Sequence, residues 1–284
     1  MPNSDRKPRD DEIDTYGLTH TGKVRPDNQD HFLIASVHKH LNILQTDLGE
    51  DERLPFADER VAFLAMVADG VGGGVAGEKA SATTVAVATQ YVLSSSDCYC
   101  RSDANETDFI EALQETALRS HKAVLERAKE EAGGRSMATT LTLFMGVWPW
   151  YYLLQVGDSR YYLYRENQLT QVSRDQTIAE DLVDQGVMTR TTAARSRLSH
   201  VLSSAIGAAE ALPVVTRLRA DWGNVHLLCT DGLTKHVTDE RITEILASMT
   251  SSRQACEALL ESALEDGGTD NITIVVLRSV PRRG

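Results

Sequence analysis

Five aspartates sit where the chain enters or leaves a predicted strand. Asp69 ends the apolar run 61–68 and precedes Gly70-Val71-Gly72-Gly73-Gly74. Asp158 follows Leu153-Leu154-Gln155-Val156-Gly157, and Asp231 lies between Val225-His226-Leu227-Leu228-Cys229-Thr230 and Gly232. Asp270 leads into the run 272–277, and Asp30 ends Arg25-Pro26-Asp27-Asn28-Gln29-Asp30 at the mouth of another strand. Three of the five touch a glycine. A carboxylate is costly to bury unless it is paired or bound to a metal. A neighbouring glycine lets the backbone approach a ligand and leaves its carbonyl free to coordinate. Oxygen donors without His or Cys suit Mg²⁺ or Mn²⁺ in octahedral sites; Zn²⁺ would call for the missing nitrogen or sulfur. The alternating acidic loop of an EF-hand is absent. Singly, each motif has an ordinary reading: Asp231-Gly232 as a turn, Arg25 as a surface charge, the glycine run as a flexible loop. That run is no P-loop, because no Gly-Lys-Ser/Thr closes it.

The elements that must hold these residues follow from the pattern. Residues 61–68 read as a strand buried on both faces, 31–37 and 41–46 as strands around a turn. Residues 77–93 and 108–131 read as helices, and 139–147, 150–156, 161–165 and 168–172 as a strand meander. Short helices are expected over 176–185 and 191–199, strands over 214–219 and 225–230, and helices over 241–249 and 253–264. Ser251 with Gln254 predicts a capping box for the last helix. A final strand covers 272–278. Strands come in runs broken by helix pairs, which predicts an α+β fold. The expected architecture is a four-layer αββα sandwich, two antiparallel sheets facing each other with helices on both outer faces. Residues 1–13, charged and poor in apolar groups, read as a disordered tail, and 14–280 as a single domain.

Composition sets outer bounds. The chain has 284 residues, with 29 Lys and Arg against 41 Asp and Glu, a net charge of −12. That balance argues against nucleic acid and against a polybasic membrane anchor. No apolar run reaches the ~18 residues of a membrane span, and the N-terminal residues lack a signal peptide's apolar stretch. Cytoplasmic residence is therefore expected. Cys98, Cys100, Cys229 and Cys256 make neither a disulfide framework nor a four-ligand metal site. No Cys-x5-Arg stands here for a thiol-based phosphatase.

Taken together and in order, the motifs resemble those of the metal-dependent serine/threonine protein phosphatases, the type 2C or PPM family, in their bacterial form. Arg25-x-x-Asn28-Gln29-Asp30 is similar to the opening motif, and Ala68-Asp69-Gly70-Val71-Gly72-Gly73 to A-D-G-[MH]-G-G. Ala138-Thr139-Thr140-Leu141 resembles G-T-T-L, and Gly157-Asp158-Ser159-Arg160 is the bacterial G-D-S-R. Thr230-Asp231-Gly232-Leu233-Thr234 and Asp270-Asn271-Ile272-Thr273 complete the set. The resemblance runs from about residue 16 to 278 and implies the same four-layer fold. It implies two Mn²⁺ or Mg²⁺ ions, with Asp69 bridging them, the Gly70 carbonyl joining it, and Asp231 and Asp270 completing the first. Asp158 would reach a third, weaker ion. Asp30 would hold water around the centre with Gln29 beside it, Arg25 would grip phosphoryl oxygens, and Asn271 would position ligand or product. The implied reaction is direct in-line hydrolysis of phosphoserine or phosphothreonine by an activated water, opposing a protein kinase. Phosphorylated proteins and a cognate serine/threonine kinase are the implied partners, and a monomer the implied state.

Departures from the pattern sharpen the expectations. Val71 stands where some members carry a His proposed as the acid for the leaving group, so solvent or water of the metal centre must supply that proton. Asp175-Gln176-Thr177 replaces D-H-[ST]. Residues 47–60 read as an acidic loop insertion. Residues 173–209 correspond to the flap, whose Arg174, Arg190, Arg195 and Arg197 could guide an acidic substrate or simply face solvent. Other readings kept open are a phosphatase dedicated to one regulator such as a phosphorylated anti-sigma-factor antagonist, a silent phosphoprotein-binding module, and a two-metal hydrolase of nucleotides.

Overall fold

Side chains alternate between two cores along nearly every central strand of the computed structural model, which describes residues 6–40, 59–72, 74–95, 106–131 and 137–281. In chain order the first half holds β1 (Ile13–His20), β2 (His31–Lys39), β3 (Glu59–Ala68), β4 (Gly70–Val71), α1 (Val75–Ser94), α2 (Glu106–Glu130), β5 (Ala138–Thr139), β6 (Leu141–Val147) and β7 (Trp150–Val156). The second half holds β8 (Arg160–Arg165), β9 (Gln168–Gln171), α3 (Ile178–Asp184), α4 (Arg190–Ala193), β10 (Val214–Arg219), β11 (Val225–Cys229), α5 (Asp231–Thr234), α6 (Asp239–Ala247), α7 (Ser252–Glu265) and β12 (Ile272–Ser279). One five-stranded sheet has the order β1-β12-β11-β8-β9, the other β10-β7-β6-β3-β2, and β4 pairs with β5 apart from both. All pairings are antiparallel.

Three apolar clusters mark three interfaces, hence four layers. Leu64 and Met66 of β3 join α1 and α2 in the first, with Leu143, Met145 and Leu154. Their neighbours Ala65 and Val67 face the other way, onto Phe144, Tyr161, Leu228 and Val275 between the sheets. Leu227, Cys229, Ile274 and Val276 meet Ile242, Ile245 and Leu259 of α6 and α7 in the third. The period of two is what a strand buried on both faces requires. Each fully buried Leu, Ile, Val or Phe contributes roughly 1.5–3 kcal/mol over its exposed state. The expected α+β sandwich is thus the observed one.

Some expectations need correction. The meander is split between sheets: β6 and β7 form a hairpin in one, β8 and β9 in the other, and the chain crosses at Gly157-Asp158-Ser159. Alternation alone cannot tell which sheet a strand joins, because both bury both faces. The disordered tail does not extend over 6–12. Glu12 is buried and accepts two hydrogen bonds from Arg6, whose guanidinium lies 4.6 Å from the Trp222 ring centre. Trp222 is distant in sequence from the segment it covers, so residues 6–12 alone read as a solvated charged stretch. Ser251 caps α7 by accepting from Gln254 N at 3.1 Å, but the Gln254 side chain accepts from Thr250 N rather than from Ser251. The strand expected over 41–46, most of the 47–60 loop and Cys98 with Cys100 lie outside the described residues. Among the described residues no helix is long and apolar enough to cross a membrane.

Candidate active site

Strand register brings the five aspartates to one end of the seam between the sheets. Ala68 of β3 pairs with His31 at the start of β2, and Ile272 at the start of β12 with His20 at the end of β1. Cys229 at the end of β11 pairs with Arg160 at the start of β8. Asp30, Asp69, Asp158, Asp231 and Asp270 all lie within two residues of these ends. Asp69, Asp158, Asp231 and Asp270 line, with Arg25, Lys235 and flap residues His200 and Val201, a cleft of about 520 Å³, and Asp30 is buried behind it. That is room for a phosphorylated side chain with water around it.

Hydroxyls from both sheets fix the acids. Asp30 Oδ2 accepts from Thr230 Oγ1 and Thr273 Oγ1, each at 2.8 Å, and Thr273 Oγ1 lies 2.8 Å from Thr19 Oγ1. Asp69 is held through its backbone. Its N–H donates to Thr140 Oγ1 at 2.9 Å, and its carbonyl accepts from Thr139 Oγ1 at 2.7 Å. Thr140 Oγ1 in turn lies 2.7 Å from Ser159 Oγ, which ties the two sheets together. Glycine is needed at two contacts. A Cβ at Gly70 would come within 2.3 Å of the Gly77 carbonyl oxygen, where α1 begins, and one at Gly232 within 1.9 Å of the Asn271 carbonyl oxygen. Both lie below any real Cβ approach, so larger residues would push α1 or α5 away from the cleft.

The charge in this cleft is poorly balanced. Burial, then the charges of Asp30, Asp231, Asp158 and Asp270, pushes Asp69 well above the usual carboxylate range. Burial raises Asp30 to about 7 against the two threonine hydrogen bonds, with Asp231 and Asp270 adding to the rise. Burial and then Asp231 raise Asp158 to about 7. Asp270 differs: burial pushes it up, but hydrogen bonds from Arg25 and Lys235 outweigh burial and hold it below the usual value. Arg25 grips Asp270 with two bonds of 2.8 and 2.9 Å. Lys235 Nζ sits 2.5 Å from Asp231 Oδ2 and 2.8 Å from Asp270 Oδ2. Among the described residues no three acidic side chains are already closed into a metal cage. Yet Asp30 Oδ1 and Asp231 Oδ1 are buried without any hydrogen-bond partner, and no ion pair involves Asp69 among the described residues. Orphaned oxygens in an all-oxygen, strongly negative set are what a hard divalent cation fits.

Other expected residues turn out to be positioning groups. Asn271 has no donor left for a phosphate: Nδ2 donates to the Thr21 and Asp27 carbonyls, both at 2.9 Å, and Oδ1 accepts from Gln29 N. It braces the loop that carries Arg25 and Asp30. Gln29 offers its backbone carbonyl to Gly70 N at 3.2 Å and to Ser81 Oγ at 2.5 Å. Gln176 accepts from Gly157 N and donates to the Leu212 carbonyl, each at 2.8 Å, so it holds the turn before Asp158 against the flap. Arg160 of the G-D-S-R motif clasps Asp175 at 2.8–3.1 Å. Within the flap, Arg174 is tied to Asp181 and Asp184 at 3.0 and 2.7 Å. Arg190, Arg195 and Arg197 are exposed, with no ion pair among the described residues. Val71 is 41% exposed at the cleft and brings no titratable group.

Sequence reading missed the hydroxyl frame, His200 and Lys235. Thr19, Thr140, Thr230 and Thr273 look like ordinary strand formers. Lys235 lies four residues after Asp231, a spacing at which opposite charges meet on a helix, but no helix is expected there from the sequence and α5 is seen only in the structure.

Known proteins resemble this chain in sequence and fold. The pattern of the family described as Protein phosphatase 2C matches residues 45–266. The serine/threonine protein phosphatase PstP of Mycobacterium tuberculosis is 33% identical over 215 residues, 76% of this chain and 40% of that protein. This chain therefore spans well under half the length of that relative. The serine/threonine phosphatase Stp of Listeria innocua is 28% identical over 83% of this chain and 92% of its own. The crystal structure of the catalytic domain of PstP in complex with two manganese ions superposes with a TM-score of 0.71 at 28% identity, covering 95% of this chain and 99% of that one. With motifs, fold and a match over more than three quarters of its residues in agreement, this chain belongs to the protein phosphatase 2C family.

Proposed function

We propose that the chain is a metal-dependent serine/threonine phosphoprotein phosphatase using Mn²⁺ or Mg²⁺. The observation that carries the reading is the carboxylate cluster, with two buried, partnerless oxygens and too few cations to balance it. Asp69, the Gly70 carbonyl, Asp231 and Asp270 would hold two ions, and Asp158 a third, weaker one. When bound, such ions lower the pKa of water and offset the charge of phosphoryl oxygens. The chain's own groups do the rest. Asp30, anchored by Thr230 and Thr273, keeps one oxygen free to orient water. Arg25, whose fork grips Asp270 in the structure, would be released when Asp270 takes a metal ion and could then hold two phosphoryl oxygens at once. Val71 cannot give a proton, so the serine or threonine leaving group takes its proton from water. The flap wall excludes bulk solvent on one side of the cleft. Substrates are phosphorylated proteins, their partner a serine/threonine kinase, and the enzyme acts as a cytoplasmic monomer. The test is hydrolysis of a phosphothreonine peptide by metal-stripped protein as Mn²⁺ is titrated back. Turnover should be absent without metal and appear with it. Folded protein that stays inactive at millimolar Mn²⁺ would overturn the reading.

A further inference from the structure

We infer that Lys235 is a built-in counter-ion: it holds the metal-binding carboxylates in the metal-free protein and thereby sets how tightly a divalent cation binds. The inference rests on the metal-dependent reading above. Three observations carry it. First, the Lys235 ammonium reaches both Asp231 Oδ2 and Asp270 Oδ2, at 2.5 and 2.8 Å. These aspartates come from different strand ends, 39 positions apart by number, so one side chain joins two elements of the cleft. Second, its placement is fixed by the backbone. Lys235 N donates to the Asp231 carbonyl at 2.9 Å, one turn on, and the side chain is only 27% exposed. Third, the cation stands in a site that lacks cations. Among the described residues, the cleft lined by Asp69, Asp158, Asp231 and Asp270 holds only Arg25 and Lys235 as cations, and the Arg25 hydrogen bonds both go to Asp270. Lys235 is thus the only cation among the described residues that forms an ion pair with Asp231.

The consequence is competition. A divalent ion held by Asp231 and Asp270 must take oxygens that the ammonium already occupies. Its apparent affinity falls by the fraction of the protein in which those oxygens are free. In return, the metal-free fold is spared part of the repulsion among its carboxylates. Lysine suits this task, since an ammonium is a compact point charge on a flexible stem that can bridge two carboxylates and then let go.

The experiment compares wild type, Lys235→Met and Lys235→Arg by calorimetric titration with Mn²⁺ and by melting temperature with chelator and with saturating Mn²⁺. Lys235→Met should bind Mn²⁺ about 10-fold tighter or more, the size expected for loss of one close charge pair. Its melting temperature should fall by several degrees in chelator and match wild type when loaded, while Lys235→Arg stays close to wild type in both. A contact-specific readout accompanies these. Acetylation of Lys235 in wild type, followed by mass spectrometry against exposed Lys122, should rise several-fold on adding Mn²⁺. Lys235→Met binding Mn²⁺ no tighter than wild type, or Lys235 labelling unmoved by metal that does bind, would overturn the inference alone. If Lys235→Met fails to fold without metal, the labelling of wild type decides. Wild type that binds no Mn²⁺ at millimolar concentration would overturn the metal-dependent reading and this inference with it.

Discussion

The seam between the two sheets has a front end and a rear end, and they treat buried charge in opposite ways. At the front, five aspartates meet two cations, and two buried oxygens have no partner. At the rear, charge is matched. Arg60 is buried, pairs with Asp10 at 2.9 Å and donates to the Pro8 carbonyl. Glu12 takes two bonds from Arg6 and one from the Arg9 N–H. Between the sheets, Tyr161 Oη lies 2.6 Å from His226 Nδ1, and burial drives that histidine down to about 3, so it stays neutral. The front cleft holds about 520 Å³, whereas the cavity beside Phe144, Tyr151 and His226 between the sheets holds about 40 Å³, room for very little water. Buried charge with partners is structure. Buried charge without partners is a site waiting for a ligand.

Substitutions can break this contrast. The largest effect is expected at the front. Asp231→Asn should lower kcat on a phosphothreonine peptide by at least about 100-fold, since a metal ligand and its charge are lost together. Circular dichroism should show an unchanged fold; a folded variant with wild-type turnover at limiting and saturating Mn²⁺ would remove Asp231 from the centre. Arg25→Ala should act mainly on binding, raising KM about 10-fold and weakening inhibition by phosphate to a similar degree, the size of a lost charged hydrogen bond. Unchanged KM and unchanged phosphate inhibition would make Arg25 merely the partner of Asp270.

The rear should respond the other way. Removing residues 1–12 strips Arg6, Asp10 and Glu12 from the sandwich end. The melting temperature should drop by several degrees, with kcat/KM held within about twofold. A comparable loss of kcat/KM would show that the two ends are coupled. The smallest effect is in pH dependence. Asp30 has a folded pKa of about 7, above the ~3.9 of an unfolded chain, so the folded state binds the extra proton between them. Its contribution is therefore fully present below about pH 4 and lost as pH rises through about 7. His226 has the opposite sign, being held neutral when folded, and its contribution is lost as pH falls below about 6.5. In chelator, Asp30→Asn should gain a few degrees on wild type between pH 5 and pH 8. Equal pH profiles would mean that Asp30 is not held protonated.

The contrast also explains what could be read in the sequence. Front-end residues are legible from local sequence as a set: Asp231-Gly232 alone reads as a turn, but five aspartates at strand ends, three of them touching glycine, stand out together. The apolar run 61–68 is equally local, and β3 follows it closely. The rear end is invisible in that way. Arg6, Glu12 and Trp222 make sense only as a set brought together by the fold, so 1–13 looked like a tail. Asn271 sits in a motif, which says that it matters, but not that both of its N–H bonds are spent on the loop of Thr21 and Asp27. Likewise the hydroxyls of Thr230 and Thr273 read as strand formers until Asp30 is placed between them.

The central claim is that the front end is an unneutralised acid cluster built for divalent cations. Its most direct test is the number of Mn²⁺ ions bound by metal-stripped protein, counted by calorimetry for wild type and Asp69→Asn. About two tight ions per wild-type chain, with tight binding lost in Asp69→Asn, is the predicted result. Stoichiometry and affinity unchanged by that substitution, or a wild type that takes up no Mn²⁺, would contradict it.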